Sequence, residues 1–597
     1  MSTKKSSNKN GTTSWRPVAK NEAEEILFKG LLDKQPENPL PLRAKRAESK
    51  VAAFTGKSKV SSNKLMDVVD KINPASLQPI KKMPEDIKKS IQALRPGTKR
   101  FHGMKVNLGY FPFPWVMSPC ADKFGYISSQ PIRSASKLPF TTANQELLGE
   151  LGNMMGDPGR DLVADSIIPA GFTYFGQFVD HDVTFDVSST LQTATDAETL
   201  NNMRSPALDL DSVYGRGPAL QPYLYFFPPT GPDTAIKFQL GTNKSNKADG
   251  PGGPGGNAGF GGMRVQTDFD VPRIHNPLDP VGSSHTAIVG DPRNDENLIV
   301  SQFHHTMLKF HNKVVDVLVK AGFDGDIFVE AKKKVIHHYQ WAVVNDFLTR
   351  ICGTVAVNNA LAKNVPVGSP FRMPVEFAVA AYRFGHSMIR DNYWVNFNFP
   401  NATLSQVFQF NRKPELPVRS SWVVDFNAFF DTGVSVPVNN KARKIDSVLA
   451  SGLENIPGGS GIMAILATRN LRRGLALGLP SGQKMALSFK ISPMSTAQLT
   501  QGLPAGEIAI LNSAKGILLK KTPLWYYILR EANVLAAGNH LGPVGAKIVA
   551  DTFIRMLKRD ATSYLNVPGG FTPMLNSVTP GSFTVADLVT FAGVTQP

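Results

Sequence analysis

Six apolar residues, Ile299, Phe303, Met307, Phe310, Val314 and Val317, recur at helical spacing over more than four turns. A stripe of that length must be buried against other elements, so it commits the chain to a core built around a long helix. Two other stretches share the period. Phe175, Phe178 and Val179 fall at i, i+3 and i+4, and Phe377, Ala381, Phe384 and Met388 run between Pro374 and Ile389. Pro374 suits a first helical turn. Strand-like alternation is scarce, and no repeat of fixed period occurs. The stretch 249–262, DGPGGPGGNAGFGG, has almost nothing to bury and lacks the flanking strand and helix of a nucleotide site, so it reads as an exposed loop. The expectation is a mainly α chain, one large domain with long irregular loops.

Composition excludes several classes. Of 597 residues, 42% are apolar and 36 are Phe, enough for a sizeable core, which rules out disorder throughout. No run approaches the ~18 consecutive apolar residues of a membrane span. The start, MSTKKSSNKNGTTSW, is basic but has no apolar core after it, so no conventional secretory signal is read there. Cys120 and Cys352 are too few for a disulfide framework. The expected location is cytoplasmic, or exported without a conventional signal peptide.

The net charge of +17 is uneven, because residues 1–100 hold 22 Lys and Arg against 10 Asp and Glu. Residues 1–100 read as a basic, largely flexible extension, and 101–597 as the folded domain, opening on FHGMKVNLGYFPFPW at 101–115. Such an extension attracts an anionic partner such as nucleic acid, anionic lipid or acidic polysaccharide. The plainer alternative is a solvated terminus, since few aromatic residues are interleaved for stacking.

The segment Gly176–Asp182, GQFVDHD, carries the most chemistry. On a helix, Gln177 and His181 share a face with Asp180 beside them, and Asp182 is turned ~100° onward. One turn then offers an amide, a carboxylate and an imidazole to one cavity, and a second carboxylate to a neighbouring site. A polar face against solvent is the other reading. GDPRNDEN at 290–297 sets Arg293 and Glu296 three apart at a helix entrance. AYRFGHSMI at 381–389 puts Arg383 and His386 on an otherwise apolar helix, where a histidine is by default a satisfied core residue.

Taken in order, GQFVDHD, ALDLDSVYG at 207–215, GDPRNDE at 290–296, YRFGH at 382–386 and NLRRGLALGLPSG at 470–482 resemble the animal-type haem peroxidase family. That family is also called the peroxidase–cyclooxygenase superfamily, and the likeness, over roughly 100–590, is to a bacterial-type branch. The resemblance implies haem b, with His386 as proximal axial ligand and His181 as the distal histidine that moves the peroxide proton. It implies that Arg293 stabilises charge as the O–O bond breaks and that Gln177 fixes a water or halide. Asp180 and Glu296 match the carboxylates that form ester links to haem methyl groups, with hydrogen bonding alone as the alternative. Asn297 stands where one subgroup has Met, which excludes a third, sulfonium link. Arg383 is expected on a haem propionate.

The resemblance also implies Ca²⁺, held by Asp182, Ser205, Asp209, Asp211 and the carbonyl of Ala207. Alternate residues from 205 to 211 face one side of an extended segment and supply hard oxygen ligands. An ordinary acidic turn before Tyr214-Gly215 is the alternative. Alignment through GLPSG puts Gln483 where relatives have an Asn that accepts the proximal imidazole N–H. His304, His305 and His311, with His337-His338, are assigned to packing.

The function implied is a peroxidase that reduces H₂O₂ and oxidises halide, thiocyanate or phenol-like donors through a ferryl haem. A fatty-acid dioxygenase, cyclooxygenase-like, is the alternative on the same fold. Those relatives need a radical-forming Tyr three residues before the proximal His. Arg383 occupies that position here, while Tyr382 is four before and is expected on a different facing. A third reading is a basic-tail binding protein with incidental haem chemistry.

Overall fold

The computed structural model describes residues 122–595 apart from 157–164, 187–190, 244–267, 276–284, 413–414 and 457–460, together with two strand pairs nearer the N-terminus. Those pairs are Thr3–Ser7 with Thr13–Pro17, and Thr98–Phe101 with Met104–Asn107. The rest of the basic extension, most of the aromatic lead-in, Cys120 and the glycine-rich stretch 249–262 lie outside the described residues. The chain forms two compact units, Met1–Ile87 and Lys88–Pro597, and everything below concerns the second.

The helices used below are α1 Thr142–Met154, α2 Gly171–Val183, α3 Leu298–Lys320, α4 Ile327–Ala342, α5 Leu466–Ala476, α6 Leu524–Ala536, α7 Pro543–Arg559 and α8 Val585–Ala592, and others, such as Thr354–Leu361 and the kinked Ala505–Lys520, lie among them. Shorter helical turns and irregular segments join them, and the described strands pair only in twos. No helix among the described residues is long and apolar enough to cross a membrane. The architecture is mainly α, as the spacing predicts.

The long stripe behaves as expected over most of its length. α3 buries Ile299, Phe303, Met307, Phe310 and Val314, whereas Val317 near its end is exposed. The Asn297 side chain caps α3 by accepting from the Val300 N–H, which fixes where the helix begins just after Glu296. α3 packs against α2, α4 and α8. On α2, Phe175 meets Phe303 and Phe347, each at 5.4 Å, and Phe178 meets Phe303 at 5.2 Å and Tyr339 at 6.3 Å, all edge-on. Each such pair adds about 0.5–1.5 kcal/mol beyond burial. Together they fix the rotation of α2, and so the direction in which Gln177, Asp180 and His181 point.

α5 is drawn onto α1 by a glycine. A Cβ at position 152 would lie 2.7 Å from the Thr468 backbone nitrogen, so only Gly152 permits that approach. α5 carries Asn470 and Arg473.

The segment 374–389 is not the α-helix its spacing suggests. A π turn spans Glu376–Ala380 and a 3-10 helix Ala381–Met388, with Ala380 at φ −127°, ψ −71° between them. The Glu376 carboxylate accepts from the backbone N–H groups of Ile127 and Ser128, both at 2.9 Å, which anchors the widened turn to a distant part of the chain. Such turns recur at functional sites because they re-aim the residues that follow.

Candidate functional site

α2, the start of α3 and the 3-10 segment enclose a cavity of about 940 Å³. Gln177, Asp180, Glu296, Tyr382, Arg383 and His386 border it, and Leu404, Phe408 and Leu453 contribute apolar wall. A second cavity of about 1000 Å³ shares Asp180 and Arg383 with the first and adds Arg293, Arg469, Asn470 and Arg473. Residues 382–386 all reach the first cavity, which a straight α-helix showing one face would not allow. Tyr382 is therefore corrected: it borders the same cavity as His386 rather than facing elsewhere, with its phenol buried among Phe347, Phe377 and Phe553.

His181 is fully buried. Its Nδ1–H donates to Asn294 Oδ1 at 2.8 Å, and Asn294 Nδ2 donates to His304 Nδ1 at 3.0 Å. Burial drives the His304 pKa down to about 4, so this imidazole is neutral, and in its Nε2–H tautomer Nδ1 accepts from Asn294 Nδ2. In that arrangement Asn294 turns its oxygen toward His181. That places the His181 proton on Nδ1 and the lone pair on Nε2, which lies 3.6 Å from Glu296 Oε1. Glu296 accepts a short hydrogen bond from Gln177 Nε2, and Gln177 Oε1 accepts from Asn297 Nδ2 at 3.3 Å. Asp180, on the same face, accepts from the Thr184 hydroxyl at 2.8 Å.

Arg293 sits differently from expectation. Its Nε and Nη2 donate to Asp291 at 3.1 and 2.8 Å, and Nη2 also donates to the His181 carbonyl at 3.0 Å. It borders the second cavity and not the first, because the adjacent buried carboxylate captures its guanidinium. Burial alone would raise the Asp291 pKa, but Arg204 and Arg293 hold it far below the usual carboxylate range.

On the proximal side the expectation for Gln483 is overturned. Its amide donates to the Leu519 carbonyl at 2.9 Å and to the Thr522 hydroxyl at 2.6 Å, which ties two chain segments together away from the cavity. The carboxamide of Asn470 lies 2.7 Å from His386 Nδ1 instead. Asn470 opens the motif NLRRGLALGLPSG, whereas Gln483 directly follows its last residue. With Oδ1 turned inward, this amide accepts Nδ1–H and leaves the Nε2 lone pair for a metal.

Arg383 donates from Nε to the Ala378 carbonyl at 3.1 Å. Burial and the neighbouring Arg473 guanidinium lower its pKa to about 10. Arg473 also pairs with Asp186 at 3.3 Å, and two half-buried guanidinium groups side by side favour a further anionic group between them.

Asp182, Asp209 and Asp211 bring one carboxylate oxygen each to within 4.8 Å of one another. The convergence is not strand alternation as expected. Leu210 takes a left-handed conformation, φ 56°, and folds the loop so that its flanking aspartates face Asp182. Asp182 also accepts from Leu210 N at 3.2 Å and Ser212 Oγ at 3.1 Å. Ser205 Oγ is 2.9 Å from both Asp209 oxygens, and Ala207 lies in the same loop. Burial, then Asp211 and Asp209, raises the Asp182 pKa well above normal, and burial likewise raises Asp209. Crowded carboxylates of this kind are what a hard dication relieves.

Of the histidines assigned to packing, His305 bonds the Asp268 carbonyl, His311 bridges Tyr214 and Ile236, His337 reaches Thr562 and His338 holds Lys334, Met574 and Leu575. His304 differs from them in bonding the Asn294 side chain, which also contacts His181.

The residues fit a flat, dianionic iron cofactor. Apolar walls, the His386 imidazole and the guanidinium groups of Arg383 and Arg473 line the cavities, His181 lies buried just behind Gln177 and Glu296, and a Cβ at Gly385, beside His386, would meet nothing within 4 Å.

Comparison with known proteins agrees with this geometry. The profile described as "Animal haem peroxidase" matches residues 258–580. The peroxidasin homolog pxn-2 of Caenorhabditis elegans is 26% identical over 296 residues, 47% of this chain and 21% of that protein. The chain thus spans about a fifth of that curated relative's length. Among solved structures, peroxidase A from Dictyostelium discoideum superposes with a TM-score of 0.50 at 16% identity, covering 75% of this chain and 87% of that one. Fatty acid alpha-dioxygenase from Arabidopsis thaliana gives 0.50 at 13% identity, covering 83% and 84%. At such identities the two structures speak for the fold alone.

Proposed function

The chain belongs to the animal haem peroxidase family, and from that premise we propose that its domain, 101–597, reduces H₂O₂ at a haem between His181 and His386 and oxidises a small donor. One observation carries the reading. Two imidazoles each have a carboxamide at Nδ1, Asn294 for His181 and Asn470 for His386, which leaves one Nε2 for an axial bond and one for proton transfer.

Haem bound there supplies the redox chemistry, taking up oxygen from peroxide and electrons from the donor. His386 would hold the iron through Nε2, and Asn470 would set how much electron density the ring donates. His181 Nε2 takes the proton from the inner oxygen of H₂O₂ and returns it to the outer oxygen, which leaves as water. Asn294 keeps the Nδ1 proton in place during both transfers. Gln177 orients a water or halide beside Glu296. Asp180 and Glu296 would form ester links to haem methyl groups, each link using one H₂O₂ that removes the methyl and carboxyl hydrogens as two waters, and Arg383 with Arg473 would hold the propionates. Arg293, anchored on Asp291, steadies the His181 carbonyl and keeps positive charge behind the base. Asp182, Ser205, Asp209, Asp211 and the Ala207 carbonyl hold Ca²⁺. The donor is a halide, thiocyanate or phenol, and the basic N-terminus offers an anionic partner a separate point of contact.

The test is the visible spectrum before and after stoichiometric H₂O₂. A Soret band that shifts promptly and returns on adding iodide or a phenol supports the proposal. An unmoved band overturns the peroxidase, and no band after haem supplementation overturns haem binding.

Tyr382 favours a second reading, hydrogen abstraction from a fatty acid followed by O₂ addition, since its phenol borders the cavity. Oxygen uptake with palmitate that disappears in Tyr382→Phe, while the peroxide response persists, would establish it.

A further inference from the structure

A run of buried charges connects the acidic cluster to the distal histidine by a route separate from the helix they share. Asp211 Oδ1 accepts from Arg204 Nη1 at 3.3 Å. Arg204 Nε donates to Asp291 Oδ2 at 2.9 Å, its Nη2 makes a short bond to the same oxygen, and Nη2 also reaches the Gly290 carbonyl at 3.3 Å. Asp291 accepts from the Arg293 backbone N–H at 2.9 Å and from its guanidinium, whose Nη2 grips the His181 carbonyl. Asp182, the next residue, returns the path to the cluster. Arg204, Asp291, Arg293, His181 and Asp182 are all 4% exposed or less.

The charges along this path do not balance. Asp182, Asp209, Asp211 and Asp291 face Arg204 and Arg293, with Lys332 near Asp209, which leaves an excess of negative groups around the fully buried Asp182 and Asp291 and the half-buried Asp209 and Asp211. A divalent cation among the three clustered carboxylates offsets it. It would also decide how Asp211 divides its oxygens between the ion and Arg204.

We propose that Arg204 is a positioning residue that couples cation occupancy of the Asp182–Asp209–Asp211 cluster to the placement of His181. The proposal rests on the calcium reading above and deepens it. With the cation present, Asp211 is pinned and holds the Arg204 fork square on Asp291. Asp291 then fixes Arg293, and Arg293 fixes the end of α2 through the His181 carbonyl. Without the cation, the three carboxylates repel, the 204–212 loop loosens, and Arg204 loses one of its two anchors. Arginine suits the task because its planar fork engages two carboxylates at once, whereas lysine is a single point of charge.

Hydrogen exchange on the full chain, with Ca²⁺ and with EGTA, reads this coupling whether or not haem is bound. In the wild type, Ca²⁺ is expected to slow exchange at least tenfold both in the 204–212 loop and across 290–297. In Arg204→Met and Arg204→Lys, Ca²⁺ still raises the melting temperature and protects the loop, but protection across 290–297 changes by less than twofold. Arg204→Lys keeps the charge and guards against a folding defect, and a purely structural Arg204 would lose protection in both segments equally. Transmission undiminished in both variants overturns the proposal, as does a wild type in which Ca²⁺ leaves 290–297 unchanged. Absence of any Ca²⁺ effect overturns it together with the calcium reading. Coupling in a chain that shows no Soret band upholds it while the haem reading falls.

Discussion

His304 Nδ1 lies 3.0 Å from Asn294 Nδ2, and that contact goes with the Asn294 oxygen facing His181 Nδ1 at 2.8 Å. Removing the carboxamide frees the His181 ring to choose its tautomer, so Asn294→Leu should slow the peroxide-induced Soret change by about 10–100-fold at unchanged haem content. His181→Leu should remove the whole acid–base contribution, about 10²–10⁴-fold. His304→Gln, which still presents an acceptor to Asn294, should retain most of the rate. Stopped-flow absorbance against H₂O₂ concentration separates the three.

Asn470 and Gln483 make opposite predictions. If Asn470 accepts the His386 Nδ1–H, then Asn470→Asp strengthens that acceptor and lowers the iron reduction potential, and Asn470→Leu raises it. Gln483→Leu leaves the potential where it was, because Gln483 touches Leu519 and Thr522. Spectroelectrochemical titration of the three variants distinguishes the two residues.

Acid should destabilise the fold through its buried histidines. Burial lowers the pKa values of His304, His311 and His338 to about 4 and of His305 to about 3. An unfolded histidine protonates near pH 6.5, so below that the unfolded chain binds protons that the native chain refuses. Stability is therefore complete above pH 6.5 and falls as pH drops toward 4, by about 1.4 kcal/mol per pH unit for each group. Urea midpoints between pH 7 and 5 should give a slope approaching four protons. His305→Gln should reduce it by one.

Two glycines, Gly152 on α1 and Gly474 on α5, should respond with opposite sign. Gly152→Ala drives a methyl into the Thr468 backbone and should cost about 1–3 kcal/mol. Gly474→Ala meets only Leu479 at ordinary contact distance, 3.4 Å, and removes a helix-interior glycine, so it should gain up to about 1 kcal/mol. Urea denaturation at pH 7 checks both.

Much of the site could be read along the chain where its logic is local. GQFVDHD sits on a helix because its aromatic residues repeat at helical spacing, and that period alone puts Gln177, Asp180 and His181 on one side and Asp182 on another. The acidic residues of 207–215 are legible as a cluster of hard oxygen ligands, but the left-handed Leu210 that brings them together is not. The Pro374–Ile389 stretch misled because apolar spacing does not distinguish an α-helix from a π turn followed by a 3-10 helix. The tie from Glu376 to Ile127 and Ser128 makes that choice, and it comes from far away in sequence.

The amino-acid sequence by itself determined which groups this protein carries and, through helical period and capping, which of them share a turn. Only the tertiary structure decided what each group is bonded to. Asn470 displaced Gln483 as partner of His386, Asp291 drew Arg293 away from the first cavity, and His304 left the packing set to hold Asn294. The reason is physical. Period and propensity act over a few residues, whereas a buried donor must find its acceptor wherever packing brings one, and here the partners of His181 and His386 lie 113 and 84 residues away.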